Sequence, residues 1–340
     1  MATATTRPTI AFAMGDPAGI SPELAAKVLA LPEVRSAARL VVFGDRRILD
    51  EGARVAGVAV DVRVVEDEAA AAQVHAGPVF IDLQNLAPTE VERGKATLAG
   101  GRFATENFRR ALLAAKTGYA DGVFFTPFNK AAMRMAYPAY DDEIRFINDV
   151  LGKAYPASEF NVLDRLWNAR VTSHVPLSEV ASRITGERIE RALRLTDGCM
   201  RAAGFERPRI GVAGLNPHAG DGGNFGREEI DVIAPAVERA KRDGVGAEGP
   251  FPSDTVFLRA KAGQFDAVLT MYHDQGQIAM KLIGFDRGVT MLGGYPFPIC
   301  TPAHGTAYDI AGQGIANVSA TREALLLSIR MAERRALAAA

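Results

Sequence analysis

Cysteine is scarce: Cys199 and Cys300 are the two in 340 residues. They allow at most one disulfide and no cysteine-based zinc cluster, so they read as small buried hydrophobes in a reducing compartment. An excess of one charge is also missing, with 39 basic residues against 40 acidic ones and no dense basic cluster to follow a phosphate backbone. Nucleic acid is therefore not the expected partner; a small molecule is. No run approaches the ~20 apolar residues of a membrane span, and "MATATTRPTIAFAMGD" has no continuous apolar signal core. The expected location is cytoplasmic, with no membrane partner. G-x-G-x-x-G does not occur at a strand–helix junction, nor is there a G-x-S-x-G elbow, which disfavours an ordinary Rossmann cofactor mode and a serine hydrolase.

What is present is a core-forming composition, 48% hydrophobic and 23% charged, in a chain long enough for two medium domains. Short apolar runs alternate with helical patterns: "TIAFAM" before "SPELAAKVLAL", "LVVFG" before "RRILDEGARVAG", "GVFFTP" before "NKAAMRM". The rhythm continues through "ARVTSH", "RIGVAGLN" and "DAVLTMY". It predicts an α/β fold with strands covered on both faces by helices. Ser21 is expected as a helix N-cap with Pro22 at the first helical position, and Gly204 and Gly244 as helix stops. "MAYPAYDDE" breaks the rhythm and is the expected domain crossing; no internal repeat is visible.

Three histidines follow three predicted strands: His174 after "RVTS", His218 after "VAGLNP" and His273 after "LTMY". Ligands of open α/β sheets sit beyond the carboxyl ends of strands, so the three could face one crevice. Three neutral imidazoles with an open position suit a catalytic metal; the bland alternative is that each caps a loop or packs. Around His218, "NPHAGDGGNFG" brings Asn216, Gly220, Gly222 and Gly223, whose backbone can approach a phosphate or pyrophosphate closely; a plain flexible loop is the alternative. "TPFNK" places Asn129 and Lys130 after a strand, and Lys281 follows His273 by eight residues. A lysine at a strand mouth can neutralise a carboxylate or alkoxide, although most lysines only solvate a surface. Asp254 stands among apolar residues in "FPSDTVF", where burial would demand a cation or metal partner. Asp254, Lys130 and Lys281 are the candidate catalytic groups.

"GDPAGISPE", "TPFNK", "SHVPLSEV", "GLNPHAGDGG", "PSDTVF", "MYHDQG" and "HGTAYDIAGQGIAN" occur in the order found in the 4-hydroxythreonine-4-phosphate dehydrogenase family of vitamin B6 biosynthesis, which the chain resembles over nearly its whole length. The last motif is also similar to the adenosine-contacting segment of isopropylmalate dehydrogenases. The resemblance implies two α/β/α domains of isocitrate/isopropylmalate dehydrogenase-like fold with the active site in the interdomain cleft: 1–135 plus 295–340, and 136–294. It implies an NAD- and divalent-metal-dependent homodimer with a shared active site. His174, His218 and His273 match the metal ligands, His273 coming from the neighbouring subunit. His304, Gly305, Asp309 and Asn317 match cofactor contacts. The implied chemistry is oxidation of a secondary alcohol, with loss of CO2 to follow in many members. Zinc, cobalt, nickel, iron, magnesium and manganese, and NAD or NADP, all remain open.

The substrate positions depart from the family. Typical members read Gly-His-Thr-Glu where this chain reads Asp142-Glu143-Ile144-Arg145, so an acid and an alkyl group replace the phosphate-gripping His-Thr pair. The phosphate-contacting Asn and Arg fall on Thr290 and Ile299, and Lys281 alone survives. Each missing charge-assisted hydrogen bond forfeits on the order of 1.5–3 kcal/mol. The expected substrate is a non-phosphorylated hydroxy acid or carboxylated dihydrodiol, as in the terephthalate dihydrodiol dehydrogenase branch, whose own pocket sequence is not matched. Asn129, Glu143, Arg145, Lys281 and Thr290 are the expected contacts, and Arg145 could fork onto a second carboxylate. The rival readings are the orthodox vitamin B6 enzyme and an inactive ligand-binding regulator.

Overall fold

The run "TIAFA" forms β1 (Thr9–Ala13), and its last four residues are buried. That continuous burial is what a strand covered on both faces requires. In the computed structural model, which describes residues 7–74 and 76–339, the chain divides into two units, Met1–Ala157 with Tyr295–Ala340, and Ser158–Gly294. The first unit adds β2 (Arg39–Gly44), β3 (Arg63–Val65), β4 (Val79–Asp82), β5 (Gly122–Phe125) and, from its returning segment, β12 (Ile299–Pro302). These pair in parallel in the order β3-β4-β2-β1-β5-β12. The helix Leu98–Lys116 buries Phe103, Phe108 and Leu112, and the 108 ring lies 4.7 Å from that of Phe125 on β5.

The second unit contains β6 (Ser158–Leu163), β7 (Leu166–Arg170), β8 (Ile210–Ala213), β9 (Ala247–Phe251), β10 (Ala267–Thr270) and β11 (Val289–Gly293), in the order β11-β6-β7-β10-β8-β9. β11 and β7 flank β6 antiparallel, whereas β7, β10, β8 and β9 run parallel. The carboxyl ends of β7, β10 and β8 therefore lie side by side, about 4.8 Å between neighbours. This register positions the candidate site.

The α/β class read from the sequence is the class of the molecule, but several local expectations change. Ser21 is the first residue of the helix Ser21–Leu29 rather than its cap; Ile20 caps without a side-chain bond. The Ser21 hydroxyl instead donates to the Pro127 carbonyl at 2.7 Å. Gly204 and Gly244 do follow helix ends, at φ 108° and 88°. "MAYPAYDDE" lies within the first unit, and the chain changes units after Ala157. The break in rhythm is an aromatic corner, where the Tyr137 and Tyr140 rings pack on Phe146. Among the described residues, no helix is long and apolar enough to cross a membrane.

Candidate functional site

His174 and His273 meet beyond β7 and β10, with ring centroids 5.4 Å apart and planes tilted by 43°. The two strand ends are stitched together: Thr172 donates both its backbone N–H, at 3.1 Å, and its hydroxyl, at 2.8 Å, to the Met271 carbonyl. His174 then takes φ 50°, a left-handed conformation uncommon for a residue with a side chain. His273 is the first residue of the helix His273–Gly284, so "YHDQG" is a helix start rather than a loop. Nδ1–H of His273 donates to the Asp274 carboxylate at 2.6 Å, and the neutral ring then carries its lone pair on Nε2. Gln275 pins the turn, accepting from Met271 N at 2.7 Å and donating to Gly214 O at 2.8 Å. Gly276 is glycine because a Cβ there would stand 2.1 Å from Oδ1 of buried Asn168.

His218 lies beyond β8, exposed. The glycine-containing stretch is no featureless loop: His218, Ala219, Gly220, Asp221 and Gly222 are all left-handed, with φ of 54°, 52°, 83°, 45° and 65°. Three of the five carry side chains, and each costs on the order of 1–2 kcal/mol there, so the surroundings must impose the path. The His218 ring rests 6.1 Å from that of Phe225. His218 does not join the other two imidazoles: among the described residues no group of three His, Cys, Asp or Glu could hold a metal ion. Asn216 is also committed, its amide donating to Glu228 at 2.7 Å and Glu229 at 2.9 Å.

In the first unit, the Asn129 Oδ1 accepts from Ala132 N at 3.0 Å and caps the helix Lys130–Ala136. Asp142 caps the helix Glu143–Leu151 in the same way, at 2.8 Å from Arg145 N, and Glu143 occupies its first turn. Lys130 Nζ lies 4.0 Å from the Glu143 carboxylate. Burial first, then the nearby Glu143 charge, push Tyr140 far above the usual phenol range. Arg145 does not project toward a free carboxylate; its guanidinium bonds Asp149 one turn on, at 3.1 Å.

The segment 304–317 is tied down at several points. Tyr308 Oη donates to Asp16 at 2.5 Å, and Ala316 N to Glu23 at 2.8 Å. Lys27 Nζ donates to the Gly314 carbonyl at 3.0 Å and to that of Ala316 at 2.7 Å. Burial raises the Asp16 pKa despite the bonds it accepts from Tyr308 and from Ala18 N. A cavity of about 240 Å³ opens beside it, lined by residues including Pro17, Glu23, Ile48, Glu51, Arg93 and Gly312. His304 Nδ1 donates to Gly305 O at 3.0 Å, Gly305 and Asp309 are exposed, and Asn317 Oδ1 takes Ser319 N at 2.9 Å.

Asp254 is not a buried carboxylate. It sits exposed in the first turn of the helix Ser253–Lys261, whose period turns Val256 and Phe257 inward and Asp254 and Thr255 out. Lys281 is exposed with its ammonium 5.8 Å from the Phe285 ring centroid, and half-buried Thr290 pairs in register with Asn161. Asp274 and Gln275 are legible in the sequence only as neighbours of His273 within "YHDQG", and nothing in "REEID" marks Glu229 as the acid that is buried.

His273 fits the donor chemistry of a divalent transition metal, because its Nδ1 is engaged by a carboxylate while its Nε2 is left for a ligand.

Comparison with known proteins adds the following. The model of the family "Pyridoxal phosphate biosynthetic protein PdxA" matches residues 36–328. A protein of Rhizobium meliloti (strain 1021), "Putative 4-hydroxythreonine-4-phosphate dehydrogenase 2", is 64% identical over 98% of this chain and 96% of its own length. A "Putative D-threonate 4-phosphate dehydrogenase" of Symbiobacterium thermophilum is 36% identical over 96% of this chain and 97% of its own. The solved structure of a putative 4-hydroxythreonine-4-phosphate dehydrogenase from Salmonella typhimurium superposes with a TM-score of 0.82 at 33% identity, covering 96% of this chain and 99% of that one.

Proposed function

Since the chain belongs to the pyridoxal phosphate biosynthetic protein PdxA family and is a dehydrogenase of that family, we propose that it oxidises the secondary alcohol of a non-phosphorylated hydroxy acid, using NAD and a divalent metal. The observation that carries the substrate reading is the start of the helix Glu143–Leu151. A helix N-terminus attracts anions through its free N–H groups and dipole. Here Asp142 already accepts one of those N–H groups and Glu143 adds a second carboxylate, 17% exposed, in the first turn. A phosphate dianion would meet two negative charges, and Lys130 is already near one of them. A neutral hydroxylated end of a substrate would find acceptors instead. The phosphorylated substrates in the relatives' names favour a second reading, the orthodox activity, with Lys281 as the retained cation.

A bound divalent ion would act as a Lewis acid toward the alcohol oxygen and the developing carbonyl. His174 and His218 would hold it, with His273 of a second copy as the third ligand, the assignment that the family resemblance implies; the approach of His174 to His273 within one copy is then a meeting of neighbouring strand ends and not the ligand pair. Asp274, through its bond to Nδ1 of His273, orients the ring and directs the lone pair of the neutral imidazole to Nε2 for that role. The segment 304–317, with the tethers from Asp16, Glu23 and Lys27, and the backbone of Gly220, Gly222 and Gly223 would meet NAD. Lys130 is the candidate to hold or move the hydroxyl proton, ahead of Lys281; exposed Asp254 could act only if a second copy or the substrate reaches it.

Support for a second copy comes from the helix His273–Gly284, which exposes Ile278 at 60% and Leu282 at 83%, one turn apart, followed by Phe285 at 53%. Monomeric proteins rarely leave such rows uncovered. Leu282→Glu should convert a dimer to a monomer in sedimentation velocity.

The deciding experiment follows absorbance of reduced cofactor with NAD, a divalent ion and a panel of acids. We expect turnover of unphosphorylated hydroxy acids, abolished by a chelator and restored by metal. Efficient use of 4-hydroxythreonine 4-phosphate or D-threonate 4-phosphate would overturn the substrate reading, and chelator-resistant turnover would overturn the metal.

A further inference from the structure

The left-handed path from His218 to Gly222 has one buried root. Glu229 is 3% exposed and lies in the π-helical turn Glu229–Ile233, the kind of local widening that recurs at functional sites. Its Oε1 accepts from the backbone N–H of Leu215 and of Asn216, both at 2.7 Å, and its Oε2 accepts from the Asn216 amide at 2.9 Å. Two consecutive amides thus turn toward one oxygen immediately after β8, which no strand would do unaided. The loop then comes back against the same carboxylate: a Cβ on Gly220 would stand 2.7 Å from Oε2, and one on Gly214 3.1 Å from Oε1.

We infer that Glu229 is a positioning residue, whose carboxylate, through Leu215, Asn216 and Gly220, sets the left-handed path that presents His218. It touches neither substrate nor cofactor. The inference rests on the proposed role of His218 as a metal ligand. Three observations separate this arrangement from an ordinary buried acid: the acceptor is shared by consecutive amides, the strained residues begin two positions later, and both glycines flanking His218 are packed on it. Charge-assisted bonds from N–H to carboxylate are the strongest this loop makes, so they are suited to offset strain.

Glu229→Gln keeps an oxygen for the two backbone amides but turns an NH2 toward the Asn216 amide, so donor faces donor. The test titrates the purified full-length protein with Co2+, followed by its visible absorbance, alongside hydrogen exchange of residues 214–223. Val237→Ala, outside residues 214–223 in the buried face of the helix Ala234–Arg242, is the control, with its loss of Tm measured alongside. We expect Glu229→Gln to bind Co2+ about 10–100-fold more weakly, the range typical of outer-shell partners, and to lose exchange protection at Leu215 and Asn216. The control should do neither. An unchanged affinity, or a loss no larger than that of Val237→Ala, overturns the inference. If the wild type binds no Co2+, the metal reading fails, while the exchange arm still decides whether Glu229 governs the loop. Should Glu229→Gln not fold, Gly220→Ala presses on Oε2 from the loop side and is expected to give the same loss.

Discussion

The chain leaves β8 and β5 in very different ways. After β8, the polar groups of "GLNP" converge on one buried carboxylate contributed thirteen residues later, and the strained backbone follows from that single anchor. After β5, the polar groups of "FNK" and "DDEIR" are satisfied locally and near the surface: Asn129 and Asp142 cap helices, and Arg145 pairs with Asp149. The first arrangement is over-determined, so changing one residue disturbs all of it. The second is modular, so a substrate-facing residue can change while the helices stay in place. Such a division lets chemistry persist while the recognised molecule diverges.

Alanine at His174 or His273 should sharpen the contrast most. Each removes a proposed metal ligand without touching a buried hydrogen bond of the fold, so turnover should fall on the order of 10³-fold, the several kcal/mol a Lewis acid contributes. Tm of the metal-free protein should hardly move. A variant that loses stability but keeps its turnover would mean that the pair packs rather than binds. On the modular side, Glu143→His should restore a donor where the acid now stands. We expect kcat/KM for phosphorylated acids to rise about 10-fold or more, chiefly through KM, with little change in Tm. No gain would show that Glu143 does not face the substrate.

The comparison also has a structural arm. Gly276 packs its Cα against the Asn168 amide, which donates to the Ala169 and Val268 carbonyls and to the Thr270 hydroxyl. Gly276→Ala inserts a methyl group where nothing can yield, and should cost about 1–3 kcal/mol in urea unfolding. Gly152→Ala, on the modular side, has open space around its Cβ but sits at φ 68°; it should cost only the left-handed strain, on the order of 1 kcal/mol. Equal losses would mean that the packing behind the helix His273–Gly284 yields as readily as the open helix end at Gly152.

The alternation of apolar runs and helical patterns made the α/β class legible, and the histidines after β7, β8 and β10 could be placed at strand ends by the same reading. What could not be read was convergence across long sequence distance. The apolar neighbours of Asp254 along the chain suggest burial, whereas the helix turns them to the other side and leaves the carboxylate exposed. Asn216 reads as a candidate cofactor contact, and nothing in "REEID" announces that Glu229 claims its amide and backbone. The motif around His218 was visible as glycines, but its handedness belongs to tertiary contacts that glycine count alone does not encode.

The smallest effect concerns His304, in the first unit. Burial lowers its pKa below the ordinary 6.5, only partly opposed by the bond from Nδ1 to the Gly305 carbonyl, and Nε2 is buried with no partner among the described residues. The folded chain therefore resists a proton that the unfolded chain accepts. Below about pH 6.5 the unfolded state binds more protons, so stability falls with falling pH until the folded imidazole titrates as well; above that pH the contribution is fully present. The difference in urea midpoint between pH 7.5 and pH 5.5 should be larger in the wild type than in His304→Gln, which cannot be protonated there. Equal differences would mean that the ring is hydrated, and that the interior of the segment 304–317 is as open as its exposed residues Gly305 and Asp309.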